Sequence, residues 1–337
     1  MKPGGFPERI WRGRFQRILF LAGALLMLGT ITRRGPPPPP PAAGTATIGV
    51  APVLLDARNP HRREIGRLRL RAGWSLDSGD PRFGGLSALH VEDGEITAIS
   101  DIGVLTRFPV PVRAGRLPVR FDPLIAGPGP RAIKSNRDVE AMAIRGGLLW
   151  AAFERHNMIW RYDRFSLVAQ SAARPQPMRR WRGNRGPEAL VRLADGRFLV
   201  FAEGHQDGAA PGAAVLFGGD PSAAATAAVH LSYRRPPGYR ATDAALLPDA
   251  RILILYRRFT LIGGFSARLA VADVSRLGAG ATIESREIAA LEAPLTVDNM
   301  EALSVTQEGG RTIVWIASDD NFSPLQRTLL LKFELRE

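Results

Sequence analysis

The chain has 337 residues, 45% of them hydrophobic and 23% charged, an ordinary globular composition with enough apolar material for a sizeable core. It has no cysteine, which excludes disulfides, thiolate metal sites, a cysteine nucleophile and lipoprotein attachment. The net charge of +13 is carried almost wholly by arginine, since Lys2, Lys134 and Lys332 are the only lysines. The arginines are scattered rather than packed along one helix or interleaved with stacking aromatics, so no nucleic-acid partner is expected and an anionic small molecule is.

The first 17 residues carry Lys2, Arg9, Arg12, Arg14 and Arg17, and an apolar run, Ile18 to Ile31, follows. This is the layout of a secretory signal, and its 14 residues fall short of the roughly 20 that a spanning helix needs. Residues 1–31 are therefore read as a signal peptide or an N-terminal membrane anchor. Export to the periplasm or the exterior is expected, with residues 18–31 as the attachment if the segment is retained. Pro36 to Pro41 form a stiff polyproline II spacer, and residues 32–66 are read as a Pro-rich linker and lead-in. A strand, Arg67 to Leu76, opens the folded domain, residues 67–337.

Five segments of this domain align with one another: FGGLSALHV from Phe83, RDVEAMAIR from Arg137, RGPEALVRL from Arg185, ATDAALLPD from Ala241 and DNMEALSVT from Asp298. A spacing of roughly 50 residues belongs to solenoids or propellers. After each segment come a turn and a β-favouring apolar run: EITAIS, LLWAAF, RFLVFA, RILILY and TIVWIA. A third strand follows in every repeat and a looser fourth in all but the last, which ends at Glu337. The pattern predicts an all-β fold, a β-propeller of five blades, with the strand at Arg67 supplying the missing outer strand and closing the ring. Six blades remain an alternative if Thr45 to Ala57 joins the ring. A monomer is expected.

In such a ring the first strand of each blade lines the channel. The acids heading the repeats are Glu140, Glu188, Asp243 and Glu301, with Gly85 at the matching place of the first. A second set stands where the second strands end: Asp101, Glu154, Glu203, and Asp319 with Asp320, while Arg257 breaks the series. Carboxylates so crowded repel unless a cation or protons intervene, and a hard cation with oxygen ligands, calcium in an exported protein, is the least costly solution. Glu140, Glu188, Glu203, Glu301, Asp319 and Asp320 are the candidate metal ligands. Arg185 and Arg257 are candidate anion clamps, and His156 and His205 candidate proton-transfer groups. A structural alternative stands beside this: acids repeated with the fold can serve as turn caps or hydrogen-bond acceptors for the backbone. The chain contains no G-x-S-x-G elbow, no H-E-x-x-H helix and no phosphate-binding P-loop. Trp150, Trp160 and Trp315 fall within expected strands and read as packing.

The segments FGGLSAL, RDVEAMAI, GPEAL with DGRFLVFAEG, and DNMEALSV with IVWIASDDNFSPLQRTLLLKFEL resemble the phytase-like domain family, also described by an esterase-like activity of phytase. The resemblance covers residues 65 to 337. It implies an exported propeller comparable with calcium-dependent propeller phytases, in which carboxylates hold calcium ions while lysine and arginine hold phosphates. The near absence of lysine departs from that pattern. Two functions follow: a calcium-dependent hydrolase of a phosphate or other ester, with a lactonase-like variant on the same carboxylates, or a non-catalytic periplasmic ligand-binding or scaffold propeller with structural calcium.

Overall fold

The computed structural model describes residues 41–336 apart from Val112, Gly183, Asn184 and residues 205–209. The leader and most of the proline run thus lie outside the described residues, as does His205. No helix among the described residues is long and apolar enough to cross a membrane.

Three strands precede the first repeat: β1 (Gly44–Pro52), β2 (Glu64–Ile65) and β3 (Leu68–Asp77). The first repeat is β4 (Leu86–Glu92), β5 (Glu95–Ser100), β6 (Val104–Pro109) and β7 (Gly115–Pro123). The second is β8 (Val139–Arg145), β9 (Leu148–Phe153), β10 (Met158–Asp163) and β11 (Ala169–Ala173), and the third β12 (Pro187–Arg192), β13 (Phe198–Ala202), β14 (Gly212–Phe217) and β15 (Ala228–Tyr233). The fourth holds β16 (Arg240–Leu246), β17 (Ile252–Thr260) and β18 (Gly264–Ala272); β19 (Thr282–Ile283) crosses over to pair with β15, and β20 (Ser285–Leu291) completes the sheet. The fifth is β21 (Met300–Glu308), β22 (Arg311–Ser318) and β23 (Thr328–Leu335). Within each repeat consecutive strands pair antiparallel.

The first strands β4, β8, β12, β16 and β21 lie side by side in that cyclic order, with β21 returning to β4. Apolar clusters fill the spaces between neighbouring repeats. One joins Leu255 and Leu269 to Leu303 and Phe333, another joins Trp315 and Leu330 to Leu89 and Phe108, and three more continue around the ring. This explains the unbroken apolar runs of the second strands. A sheet packed on both faces needs apolar residues at successive positions instead of an alternation. Trp315 and Trp150 are buried in these interfaces and Trp160 half-buried. The architecture is a β-propeller.

Closure is carried by the N-terminal strands. β3 pairs antiparallel with β23, with Leu330 opposite Trp74, and supplies the outer strand that the fifth repeat lacks. β1 then inserts between β3 and β7 and welds the first and last repeats into one sheet. β1 and β2, within the stretch read as lead-in, are built into this sheet. The alternation of small and β-branched residues in β1, GTATIGVAP, suits an outer strand with one buried face. β1 thus forms a seam between the first and last repeats.

Candidate metal and anion site

All five channel strands share one local irregularity. The pairing of each with its second strand skips a residue near the start: Ser87, Glu140, Glu188, Thr242 and Glu301. A bulge sets two residues against one and re-aims the extra side chain, here at the same level of the ring five times. The equivalent positions are therefore Ser87 and Thr242, and not Gly85 and Asp243 as the aligned acids imply. Asp243 stands one residue later and is almost wholly buried. Its Oδ1 accepts the backbone N–H of Ala244 at 2.8 Å and its Oδ2 that of Leu303 at 2.7 Å.

The residues closing the second strands meet the start of their own repeat. Backbone N–H groups of Asp101, Glu154, Glu203 and Asp319 donate to the carbonyls of Gly85, Asp138, Gly186 and Asn299, and Arg257 pairs with Arg240 at the matching place. The bulge glutamates and these exit acids consequently share one mouth of the channel. The other mouth, a cavity of about 350 Å³ lined by Leu89, His90, Met142, Arg145 and Arg192 among others, has no acidic lining residue.

Two groups of carboxylates come together closely enough to share a cation: Asp138, Glu140 and Glu154, and Glu154, Glu188 and Glu203. In each, the oxygens lie within 4.8 Å of one another, and Glu154 belongs to both. Burial pushes the Glu140 carboxyl well above the ordinary range, and the charges of Glu188, Glu301, Asp138 and Asp101 push the same way. Glu188 is raised by burial and by Glu203, Glu154 and Glu301, with Arg257 opposing. Burial, then Asp138 and Glu203, lift Glu154 to about 7, and Asp319 reaches about 8 through burial and the charge of Glu301. A site this averse to its own charge holds protons or a cation. The donor set is entirely oxygen, which fits a hard ion such as calcium.

A family model described as esterase-like activity of phytase matches residues 81–322. The chain belongs to the phytase-like family. No curated protein matches it. Among solved structures, the phytase-like chain is similar to the glutaminyl cyclase of Myxococcus xanthus, at 12% identity and a TM-score of 0.47, with 81% of this chain and 100% of that one covered. It is also similar to the β-propeller domain of Cps50 (Swd1) from Myceliophteria thermophila, at 9% identity and a TM-score of 0.36, covering 72% of this chain and 67% of that one.

The structure of the phytase-like chain brings Glu140, Glu188 and Glu203 into the two groups and leaves out Glu301, Asp319 and Asp320. Glu301 is held by Arg257, Nη2 to Oε1 at 2.9 Å. Asp319 accepts the N–H of Asn321. Asp320 is committed to the fold: Oδ1 accepts the N–H groups of Gly85 and Phe322, at 2.9 and 3.0 Å, and Oδ2 the Thr328 hydroxyl at 2.8 Å. It latches the last repeat to the first. Arg185 is half-buried beside Gly186, and His156 rests its Nε2 2.8 Å from Asn136 Oδ1 at the rim. Burial, with Arg174 and Arg137, lowers the pKa of His156.

Several further residues join this face. Asp138 precedes its bulge glutamate by two residues and is bridged to Arg155 at 2.9 Å. Lys134 pairs with Asp101 at 2.6 Å, so one of three lysines serves this face. Arg240 pairs with Glu203. Arg258 stacks 4.7 Å over the Tyr239 ring. The strand expected to end at Tyr256 runs on to Thr260, which places Arg257 and Arg258 inside β17 and not at its exit.

Proposed function

We propose that this phytase-like propeller, read as five-bladed and exported, is a calcium-dependent hydrolase of an anionic phosphate or other ester, acting at the acidic mouth of its channel. One observation carries the reading: two carboxylate groups share Glu154, and burial with mutual repulsion raises Glu140, Glu154 and Glu188 in spite of the ion pairs of Asp138 with Arg155 and of Glu203 with Arg240. Asp138, Glu140, Glu154, Glu188 and Glu203 would hold the cation, and a bound divalent ion supplies Lewis acidity toward a phosphoryl or acyl oxygen. Arg257 and Arg258 bind the anionic part of the substrate beside this ring. Glu154, near neutrality in the metal-free chain, is the group best poised to hold or release a proton there. Residues 18–31 would carry the export signal or hold a monomer at the membrane.

The alternative is a ligand-binding propeller with structural calcium. It is favoured by the bulge itself, which recurs with Ser87 and Thr242 and so belongs to the fold before any chemistry. The deciding experiment assays a phosphomonoester, a carboxylic ester and a lactone, each with calcium and with chelator. Turnover that needs calcium and disappears in a folded Glu188→Gln variant supports the hydrolase. No turnover of any substrate, with calcium only raising the melting temperature, overturns it in favour of the binder.

A further inference from the structure

Beside the carboxylate ring lies a cavity of about 420 Å³ with two unlike walls. Arg240, Arg257 and Arg258 form one, and Phe259 with Phe265 forms the other. Arg240 and Arg257 are balanced by Glu203 and Glu301. Among the described residues no carboxylate pairs with Arg258, so the cavity keeps a positive charge. The Arg258 guanidinium is fixed over Tyr239, itself buried, and the Nε atoms of Arg257 and Arg258 are buried without a hydrogen-bond partner. A planar donor left unpaired beside a second guanidinium is the chemistry that recognises a phosphate or carboxylate.

The apolar wall does not end at the cavity. The rings of Phe259 and Phe265 pack 4.8 Å apart across the β17–β18 hairpin, and its tip extends beyond them with Leu261 95% and Ile262 103% exposed. The turn that brings Asn321 and Gln326 into the cavity lining also holds Leu325, 93% exposed. Single exposed apolar residues are ordinary, but a strip leading out of a cationic pocket is not. A purely hydrophilic anion would leave that strip in water.

We infer that the ligand of this cavity is an amphiphilic anion: a phosphate or carboxylate on Arg257 and Arg258, with an alkyl chain laid along Phe259 and Phe265 toward Leu261 and Ile262. The inference deepens the proposed function and rests on its anion-binding half, not on turnover. It names a substrate class, alkyl or acyl phosphates and their carboxylate analogues, over polyhydroxylated phosphates.

The test is isothermal titration of the full chain with butyl phosphate and with dodecyl phosphate below its micellar concentration, in calcium and in chelator. The expected result is at least tenfold tighter binding of the longer chain. Arg258→Met should weaken both ligands at least tenfold. The double variant Leu261→Ser, Ile262→Ser, confined to an exposed tip, should erase the chain-length difference, with calcium titration reporting that the ring is intact. Equal affinity for the two phosphates, or a difference that survives in the double variant, overturns the inference. Binding to phosphatidylglycerol vesicles without binding of monomeric dodecyl phosphate also overturns it, because the hairpin tip would then be a membrane-docking edge. Dodecyl phosphate bound but never hydrolysed leaves the inference standing and counts only against the hydrolase.

Discussion

Asp243 on β16 accepts the backbone N–H of Leu303 on β21 at 2.7 Å, so one carboxylate joins the first strands of two different sheets. Neighbouring channel strands have no hydrogen-bond ladder between them, and a buried N–H facing that gap must find a side chain. Asp243→Ala leaves the N–H groups of Ala244 and Leu303 without this acceptor and is expected to cost about 2–3 kcal/mol of stability by chemical denaturation. Asp243→Asn keeps one acceptor oxygen and should cost less. Burial raises the Asp243 pKa well above the ordinary value, so the folded chain binds more protons than the unfolded one and loses stability as pH rises. The gap between wild type and Asp243→Asn should therefore narrow with rising pH, and a constant gap would contradict the role given to Asp243.

The same sign governs the ring. Glu154 is raised to about 7 and Asp319 to about 8, whereas unfolded carboxylates titrate near 4. Their protonated forms favour the fold, so the metal-free chain should have a melting temperature that falls as pH rises from about 5 to about 8. Calcium replaces the lost protons as the neutralising charge. Millimolar calcium should accordingly raise the melting temperature more at pH 8 than at pH 5, and chelator should restore the steep profile. Calcium stabilisation that is equal at both pH values would show that the ion binds elsewhere.

Much of the fold was legible because its physics is local and repeated. The second strands carry runs of successive apolar residues, since both faces of each sheet are packed, and FLVFA and ILILY could be placed on inspection. Closure was legible for the same reason: the fifth repeat lacks an outer strand and β3 stands spare ahead of the first. The site was only half legible. Sequence spacing cannot reveal a bulge, so the acid Asp243 attracted the alignment although Thr242 occupies the equivalent place. The signal was the small residue that follows each bulge, Ala88, Ala141, Ala189 and Ala302, whose counterpart in the fourth repeat is Asp243. Asp320 was named from its place at the end of a second strand; only the fold shows that it also accepts hydrogen bonds from Gly85, Phe322 and Thr328.

Glu188→Gln separates the ring's liability from its use. The carboxyl is repelled by Glu203, Glu154 and Glu301, so removing its charge should stabilise the metal-free chain at pH 8, by about 1 kcal/mol. The amide also removes one anionic oxygen ligand from the group it forms with Glu154 and Glu203, and calcium affinity should fall at least ~10-fold by titration calorimetry. A variant that is more stable and binds calcium as before would mean that Glu188 is not a ligand.

Gly186 carries the most stringent prediction, because backbone and not side chain decides it. A Cβ built there would lie 2.5 Å from the carbonyl oxygen of Glu154 and 2.8 Å from Asn157 Oδ1. Neither can yield cheaply: the first is backbone, and Asn157 is held by its Nδ2 donating to the Trp181 carbonyl at 2.8 Å. Gly186→Ala must push the second and third repeats apart at the turn that presents Glu154, the carboxylate common to both groups. The overpacking should cost about 2 kcal/mol, and calcium affinity should fall with it even in the folded fraction, since the displaced turn is the one that aims the shared ligand. Gly219→Ala, where an added Cβ meets nothing within 4 Å, is the matched control and should change neither property. If Gly186→Ala lost stability yet kept its calcium affinity, Glu154 would not be the residue on which the two groups turn.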